Sequence, residues 1–377
     1  MRYRCAFVSL WVLLPYASVV LAQSQPDDKT IVSVLTDVIP DIRDDEASFT
    51  LQKGDFVVVP IPTANPTLDA GLVLVGAYYY PQSEEQKKSQ PASVTLAAGM
   101  YTSNDSKAFA IGQRNYWDQD RWRFAGAIGH ADLKLTLFSP DESGVGKTAS
   151  WLIRGNLVQT QLSRKVGGKW YVGFAGRFVD VDQGIEPDQG SIHFNNVIDV
   201  KSVGIGVNLD YDNRDMPLNT YDGRLFQVKT LFNDESLGSD KTYQSYDLAY
   251  HSYHKMSIPV VLAWKVEGCL KSGSAPLWDA CKIGLRGFSA TKYLGKSSAS
   301  AQLEARWHIS EKWGLVGFGG AGIIDDSFSQ IHDREVIPSY GIGLRFMVLA
   351  AKRINLRLDY ARSTDSDAIH VSVGEAF

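Results

Sequence analysis

From Phe56 to the C-terminus, apolar and polar residues alternate with a period of two. Val203, Ile205, Val207, Leu209 and Tyr211 fall on one side of a strand, with Gly204, Gly206, Asn208 and Asp210 on the other. The same alternation runs through 303–309, 340–348 and 354–360. Side chains of a strand point to opposite faces in turn, so each segment is a strand with one apolar and one polar face. The polar face is rich in Gly, Arg, Asp and Asn, and the apolar face ends in Tyr211, Trp307 and Tyr360. Aromatic residues bracketing an apolar band mark the two interfaces of a bilayer. A sheet in hydrocarbon must close, since an open edge would leave backbone groups unpaired. The expected fold is all-β: a closed antiparallel transmembrane β-barrel.

The N-terminus fits export. Arg2 and Arg4 precede an apolar run from Ala6 that closes on Val20, Leu21 and Ala22. This is the pattern of a secretory signal peptide over 1–22, and Cys5 lies inside it. No later stretch has the ~18 uninterrupted apolar residues a membrane helix needs, so any span is made of strands. Residues 23–55 form an acidic periplasmic lead-in, with one short helix expected over Ile31–Val38 and stopped near Pro40. The barrel is assigned to 56–377. Segments counted back from Phe377 run from 369–377 to 70–80, and Phe56–Ile61 adds another, for about 16 strands, an even number as barrels prefer. A net charge of −4 offers no basic field for nucleic acid.

Turns punctuate the strands. Val166, Gly167, Gly168 and Lys169 read as a tight hairpin, and Asp212 to Gly223, holding Arg214, Asp215 and Pro217, as a longer turn. Between 268 and 298 lies a long connection holding Cys269, Cys281 and the run Gly284, Leu285, Arg286, Gly287, Phe288. Two cysteines so close in an exported chain are expected to form a disulfide on the outer side. No His or further Cys stands near them at metal-ligand spacing, and no cofactor is expected.

These residues resemble the bacterial surface antigen barrels of the BamA/TamA type. Leu285-Arg-Gly-Phe288 is similar to that family's Val-Arg-Gly-Phe/Tyr loop, and Asp212 to Gly223 to its Asp-x-Arg-Asp…Pro…Gly turn. Leu303, Glu304 and Arg306 match its Glu-bearing strand, and Gly374-Glu-Ala-Phe377 its C-terminal strand. The motifs stand in family order. Two departures matter. The family's assembly factors carry POTRA domains ahead of the barrel, and the ~33 residues available here are too few for one. The Phe-x-Asp-x-Gly motif appears as Phe318, Gly319, Gly320, Ala321, Gly322, with Gly320 replacing the acid.

The resemblance implies an inward-folded loop held by Arg286 pairing with Glu304 on the next strand. Gly284 and Gly287 would allow close approach, with Phe288 packed beside them. The plainer alternative leaves Arg286 solvated, with Glu304 pairing Arg306 or Arg345. Losing the acid at position 320 is expected to weaken the lock. Asp210, Asp212, Arg345, Arg357 and Asp359 would form an internal network or line a channel. Phe377 would end the last strand as the signal by which barrel-assembly machinery takes the chain as a client.

Catalytic readings are weaker. His251 and His254 lack a Ser and an acid in recognisable relation, and Gly144–Thr148 mimics a phosphate loop with Asp141 where the first Gly is required. The expectation is a non-enzymatic barrel of the bacterial outer membrane that inserts or translocates protein clients, in contact with outer-membrane lipids. A passive pore or structural surface antigen is the alternative, and a lipid-acting enzyme a third.

Overall fold

The computed structural model describes residues 55–65, 67–139, 147–187, 198–217, 219–256, 259–287, 289, 291–326, 335–350, 353–364 and 366–377. The signal peptide, the Ile31–Val38 helix, nearly all of the lead-in, and Phe288 lie outside these.

Alternation becomes wall. The strands are β1 (Asp55–Asn65), β2 (Asp69–Tyr79), β3 (Val94–Thr102), β4 (Lys107–Trp117), β5 (Trp122–Ser139) and β6 (Lys147–Gly167). Then come β7 (Trp170–Pro187), β8 (Ile198–Asp212), β9 (Gly223–Asn233), β10 (Tyr243–Lys255) and β11 (Val260–Gly273). A minute hairpin, β12 (Cys281–Lys282) and β13 (Leu294–Gly295), lies inside the long loop. The wall resumes with β14 (Ser297–His308), β15 (Trp313–Asp325), β16 (Ile337–Leu349), β17 (Ile354–Ser363) and β18 (Asp367–Val373). All except β12 and β13 form one closed barrel of sixteen strands, each hydrogen-bonded to its sequence neighbour, with β18 returning to β1. One short helix, α1 (Glu84–Ser89), caps the β2–β3 connection through a reciprocal Ser83–Gln86 box.

The longest connection, β11–β14, lies at the loop end, which by barrel convention faces outward; the turn end has mostly short turns, with α1 and the β8–β9 turn as its longer connections. Strands β5 to β7 contain 18, 21 and 18 residues, well past the ~10 that cross a bilayer, so they project beyond it on the loop side. The lipid face is apolar: Leu72, Leu74, Ile111, Ile128, Ile205 and Ile342 are exposed. Trp117, Trp170, Trp307 and Trp313 form a belt at the turn end, where Trp170 rests on Tyr211 and Phe226. Tyr101, Phe109 and Tyr340 answer at the loop end.

Two expectations need correction. The inner face is not polar throughout: in β1 to β4, Ile61, Val73, Val75, Leu96 and Met100 build an apolar cluster inside the barrel. These strands are apolar on both sides, a pattern that hides which face is inward. The last strand, expected over 369–377, stops at Val373. Gly374 adopts a positive φ of 88°, and the final three residues leave the wall for the lumen, where Glu375 and Phe377 find partners.

Candidate functional site

The β11–β14 loop folds into the barrel and is held at two points by opposite charges. At its tip, Arg286 is 1% exposed. One guanidinium nitrogen donates to Glu304 on β14, and another donates to Asp359 on β17 at 2.5 Å. The guanidinium lies 3.3 Å from the ring centroid of Phe318 on β15, a stacked cation–π arrangement. Gly287 has φ +112°, and a Cβ there would come 3.1 Å from the Arg362 backbone, so only glycine fits this tip. Ser339 and Ser366 hydroxyls donate to the carbonyls of Arg286 and Gly287.

Glu304 takes Arg286 and Arg306 together, and Arg286 is buried rather than solvated. The other oxygen of Glu304 accepts from Arg306 Nε at 2.7 Å, while Arg345 takes Asp359 at 2.6 Å and Glu375 at 2.7 Å. The second carboxylate thus comes from β17, not from the motif on β15. Gly320 instead makes room for the loop. A Cβ there would lie 2.5 Å from the Ala301 carbonyl and 2.9 Å from Leu285 Cδ2. An acid at position 320 would collide with the seat of Leu285, which packs with Ile283, Tyr293, Ile324 and Ile337. Gly284 is buried between these two apolar residues. The absence of an acid at position 320 therefore does not leave Arg286 with a single carboxylate.

The second anchor was not legible in the sequence. Asp279, in the first arm of the loop, receives Arg177 of β7 at 2.5 Å, Lys271 of β11 at 3.1 Å and the Tyr243 hydroxyl at 2.9 Å. Burial alone would raise its pKa; the guanidinium and the ammonium outweigh that and hold the carboxyl well below its usual range. An acid flanked by Trp278 and Ala280 carries no motif, and Arg177, its guanidinium partner, lies 102 residues away in sequence. Beside this anchor is a cavity of about 320 Å³, walled by Leu133, Leu135 and Trp151 on one side and Asp247, Glu267 and Lys271 on the other.

Cys269 of β11 and Cys281 of β12 are bonded, with Cα atoms 5.6 Å apart, at the root of the loop. Closing so short a loop contributes roughly 2–3 kcal/mol by chain-entropy reasoning. Mass spectrometry of non-reduced peptides should recover the linked pair, and reduction should speed proteolysis of 270–295 while leaving the barrel folded. Freely alkylated thiols in native protein would refute the bond.

The β8–β9 turn and the tail meet at the opposite mouth. Asp212 makes a two-pronged pair with Arg214, at 3.0 and 2.9 Å, while Asp215 accepts the amides of Met216 and Tyr221. Asp215 also receives Arg353 of the β16–β17 turn at 2.5 Å, so this turn, which includes Pro217 and ends at Gly223, reaches across the barrel. Arg306 joins the Thr220 carbonyl to that of Phe377 at 3.3 and 2.8 Å. The Phe377 ring lies against His251 and Tyr253. An unbroken polar column therefore runs from the loop tip to the C-terminus. Asp210 sits apart, held by Gln227 and Gln161.

His251 is taken up by Glu267 at 3.0 Å. Ser252 does hydrogen-bond His254 at 3.0 Å, a proximity missed in the sequence, but no carboxylate joins them among the described residues. Nor do the described residues hold any cluster of three or more metal-ligand side chains.

Comparison with known proteins agrees with this architecture. Residues 90–377 match the Omp85 superfamily domain. The fold is similar to BamA from Haemophilus ducreyi lacking POTRA domains 1–3, with TM-score 0.60 and 14% identity over 86% of this chain and 70% of that one. CdiB from Acinetobacter baumannii gives 0.59 and 11% over 86% and 60%, and CdiB from Escherichia coli 0.56 and 9% over 85% and 67%. At such identities the likeness is one of fold, and this chain spans about two-thirds of its neighbours' lengths. No curated protein matches by sequence. With most of its length matched and the loop, turn and barrel in place, the chain belongs to the Omp85 superfamily and is a β-barrel of the bacterial outer membrane.

Proposed function

We propose that this barrel inserts or translocates protein clients at the outer membrane, without enzymatic chemistry, by opening its wall between β1 and β18. One observation carries the reading. Among the described residues β1 and β18 share a single backbone pair, Ala64–Val371, whereas β17 and β18 pair continuously from Leu356–Val373 to Arg362–Asp367. Each ladder bond is worth about 1 kcal/mol, so this seam is where the wall parts at least cost. A lumen crossed by the loop and the tail also favours passage through the wall over free diffusion down the axis. The barrel's own outer-membrane assembly, with Phe377 read as a sorting signal before folding, belongs to the same proposal.

The experiment reconstitutes the chain in vesicles and measures the folding rate of an unrelated outer-membrane barrel together with ion conductance. Accelerated folding of the probe with little steady conductance is expected. An unchanged rate with steady conductance would replace this reading with a passive pore. The N-terminal assignment is tested on its own: the mature protein should begin at Gln23, fractionate with the outer membrane and resist alkaline extraction. Recovery as a soluble periplasmic protein would end the proposal.

A further inference from the structure

Hydrogen-bonding direction alternates along a strand. The Ser103 amide donates to the Ala70 carbonyl, so even-numbered residues of β2 face β3 and odd ones face β1. Their partners in β1 are odd as well, from Asn65–Asp69 to Val57–Ala77. Even-numbered residues of β1 therefore aim their amides at the seam: Phe56, Val58, Pro60, Pro62 and Ala64. Likewise the Gly374 amide donates to Asn355 of β17, which turns Val371 and Val373 toward β1. In this register Ala64 faces Val371, the next position pairs Pro62 with Val373, and the one after pairs Pro60 with residue 375.

Proline has no amide hydrogen to give. The two positions that would extend the ladder are the two that cannot donate. Odd-numbered prolines would have broken the β1–β2 ladder instead, so their placement on the even set leaves that pairing whole. An open strand edge in hydrocarbon is costly because its N–H groups go unpaired, and proline removes that group at both sites. Both rings are exposed on the lipid face, so no packing inside the barrel requires them.

We propose that Pro62 and Pro60 terminate the β1–β18 ladder at Ala64–Val371 and so divert the last residues into the lumen. Denied a donor opposite position 375, the tail turns at Gly374. Glu375 then takes Arg345 and Asn355, each at 2.7 Å, and Arg306 takes the Phe377 carbonyl. The prolines set how far the wall can zip and how much of β1 stays free. The consequence for clients rests on the reading under Proposed function: an incoming strand could receive amides from β1 only at Phe56 and Val58 on this stretch.

The test compares native protein with Pro62→Val and with Pro60→Val/Pro62→Val, all full-length and in vesicles, by amide hydrogen exchange at Ala64, Val371 and Val373. Extending the ladder should slow exchange at Val371 and Val373 roughly three- to tenfold, the effect of one added backbone bond. Exchange unchanged in both variants would overturn the proposal and leave the tail's lumen contacts as the cause of the short seam. Should the double variant fail to fold, Pro62→Val decides alone, since Val373 is still in the strand opposite it. As a second measurement, Val58→Cys with Phe377→Cys should cross-link in the double-valine background and not beside the native prolines. Equal cross-linking in both backgrounds would equally overturn it. Neither readout uses a client, so a barrel that inserts nothing can pass this test and an active one can fail it.

Discussion

Arg286→Ala should lower the barrel's unfolding free energy by about 3 kcal/mol, the low end for breaking a buried ion pair. Glu304 and Asp359 are both 0% exposed and meet through this one guanidinium. Each keeps another cation, Arg306 for Glu304 and Arg345 for Asp359, so neither charge is abandoned and the upper range is not reached. What disappears is the fork between two strands and the stacking on Phe318. Arg286→Lys should recover little, because a point charge on a flexible stem cannot bridge both carboxylates in one plane. Denaturant unfolding in vesicles measures the loss, and limited proteolysis of 281–295 should report the released loop. In double-mutant cycles with Glu304→Gln and with Asp359→Asn, coupling of about 1 kcal/mol or more is expected. Strict additivity in both cycles would show that something else holds the loop.

Asp279→Ala should be comparably damaging, at about 3–5 kcal/mol, since it strips the shared anion from Arg177 and Lys271, both nearly fully buried. Here no second carboxylate is hydrogen-bonded to either cation in the described structure. Asp279→Asn keeps the shape and should restore only part of the loss, through its bond to the Tyr243 hydroxyl. The anchor also carries a pH signature. Folding lowers this carboxyl's pKa, so its contribution is complete above about pH 4, the ordinary carboxylate range, and declines as pH falls below it. Acid unfolding of the native protein should therefore release the loop at its first arm, and the Asp279→Ala variant should show a flatter stability profile in that range. An unchanged acid profile would place the acid-sensitive group elsewhere.

Much of the wall was legible because a membrane strand obeys a local rule. Alternation, aromatic ends and Gly-bearing turns are read within a dozen residues, and they placed nearly every strand; the inward loop came from the family resemblance. The rule fails where its premise fails. Strands β2 and β3 are apolar on both faces, so period two could not say which side lines the lumen. The end of β18 was read through Phe377 because Val371, Val373 and Phe377 keep the alternation, yet alternation is indifferent to whether a partner strand can donate. That depends on Pro62 and Pro60, some 300 residues earlier, brought opposite only when the barrel closes.

The anchors divide the same way. Arg286 and Glu304 could be paired on paper because the family resemblance placed the loop inside the barrel, beside a strand carrying the complementary group. Arg345 and Asp359 were expected in an internal network, but that Asp359 meets Arg286 and Arg177 meets Asp279 is set by barrel circumference and stagger, which no local pattern encodes. The sequence by itself determined a closed lipid-facing barrel through side-chain periodicity and turn chemistry, and its family resemblance implied the folded-in loop. Tertiary structure alone decided the second carboxylate beneath Arg286, the Asp279 socket, the tail's turn into the lumen and the one-pair seam, because each joins residues that only closure of the sheet brings together.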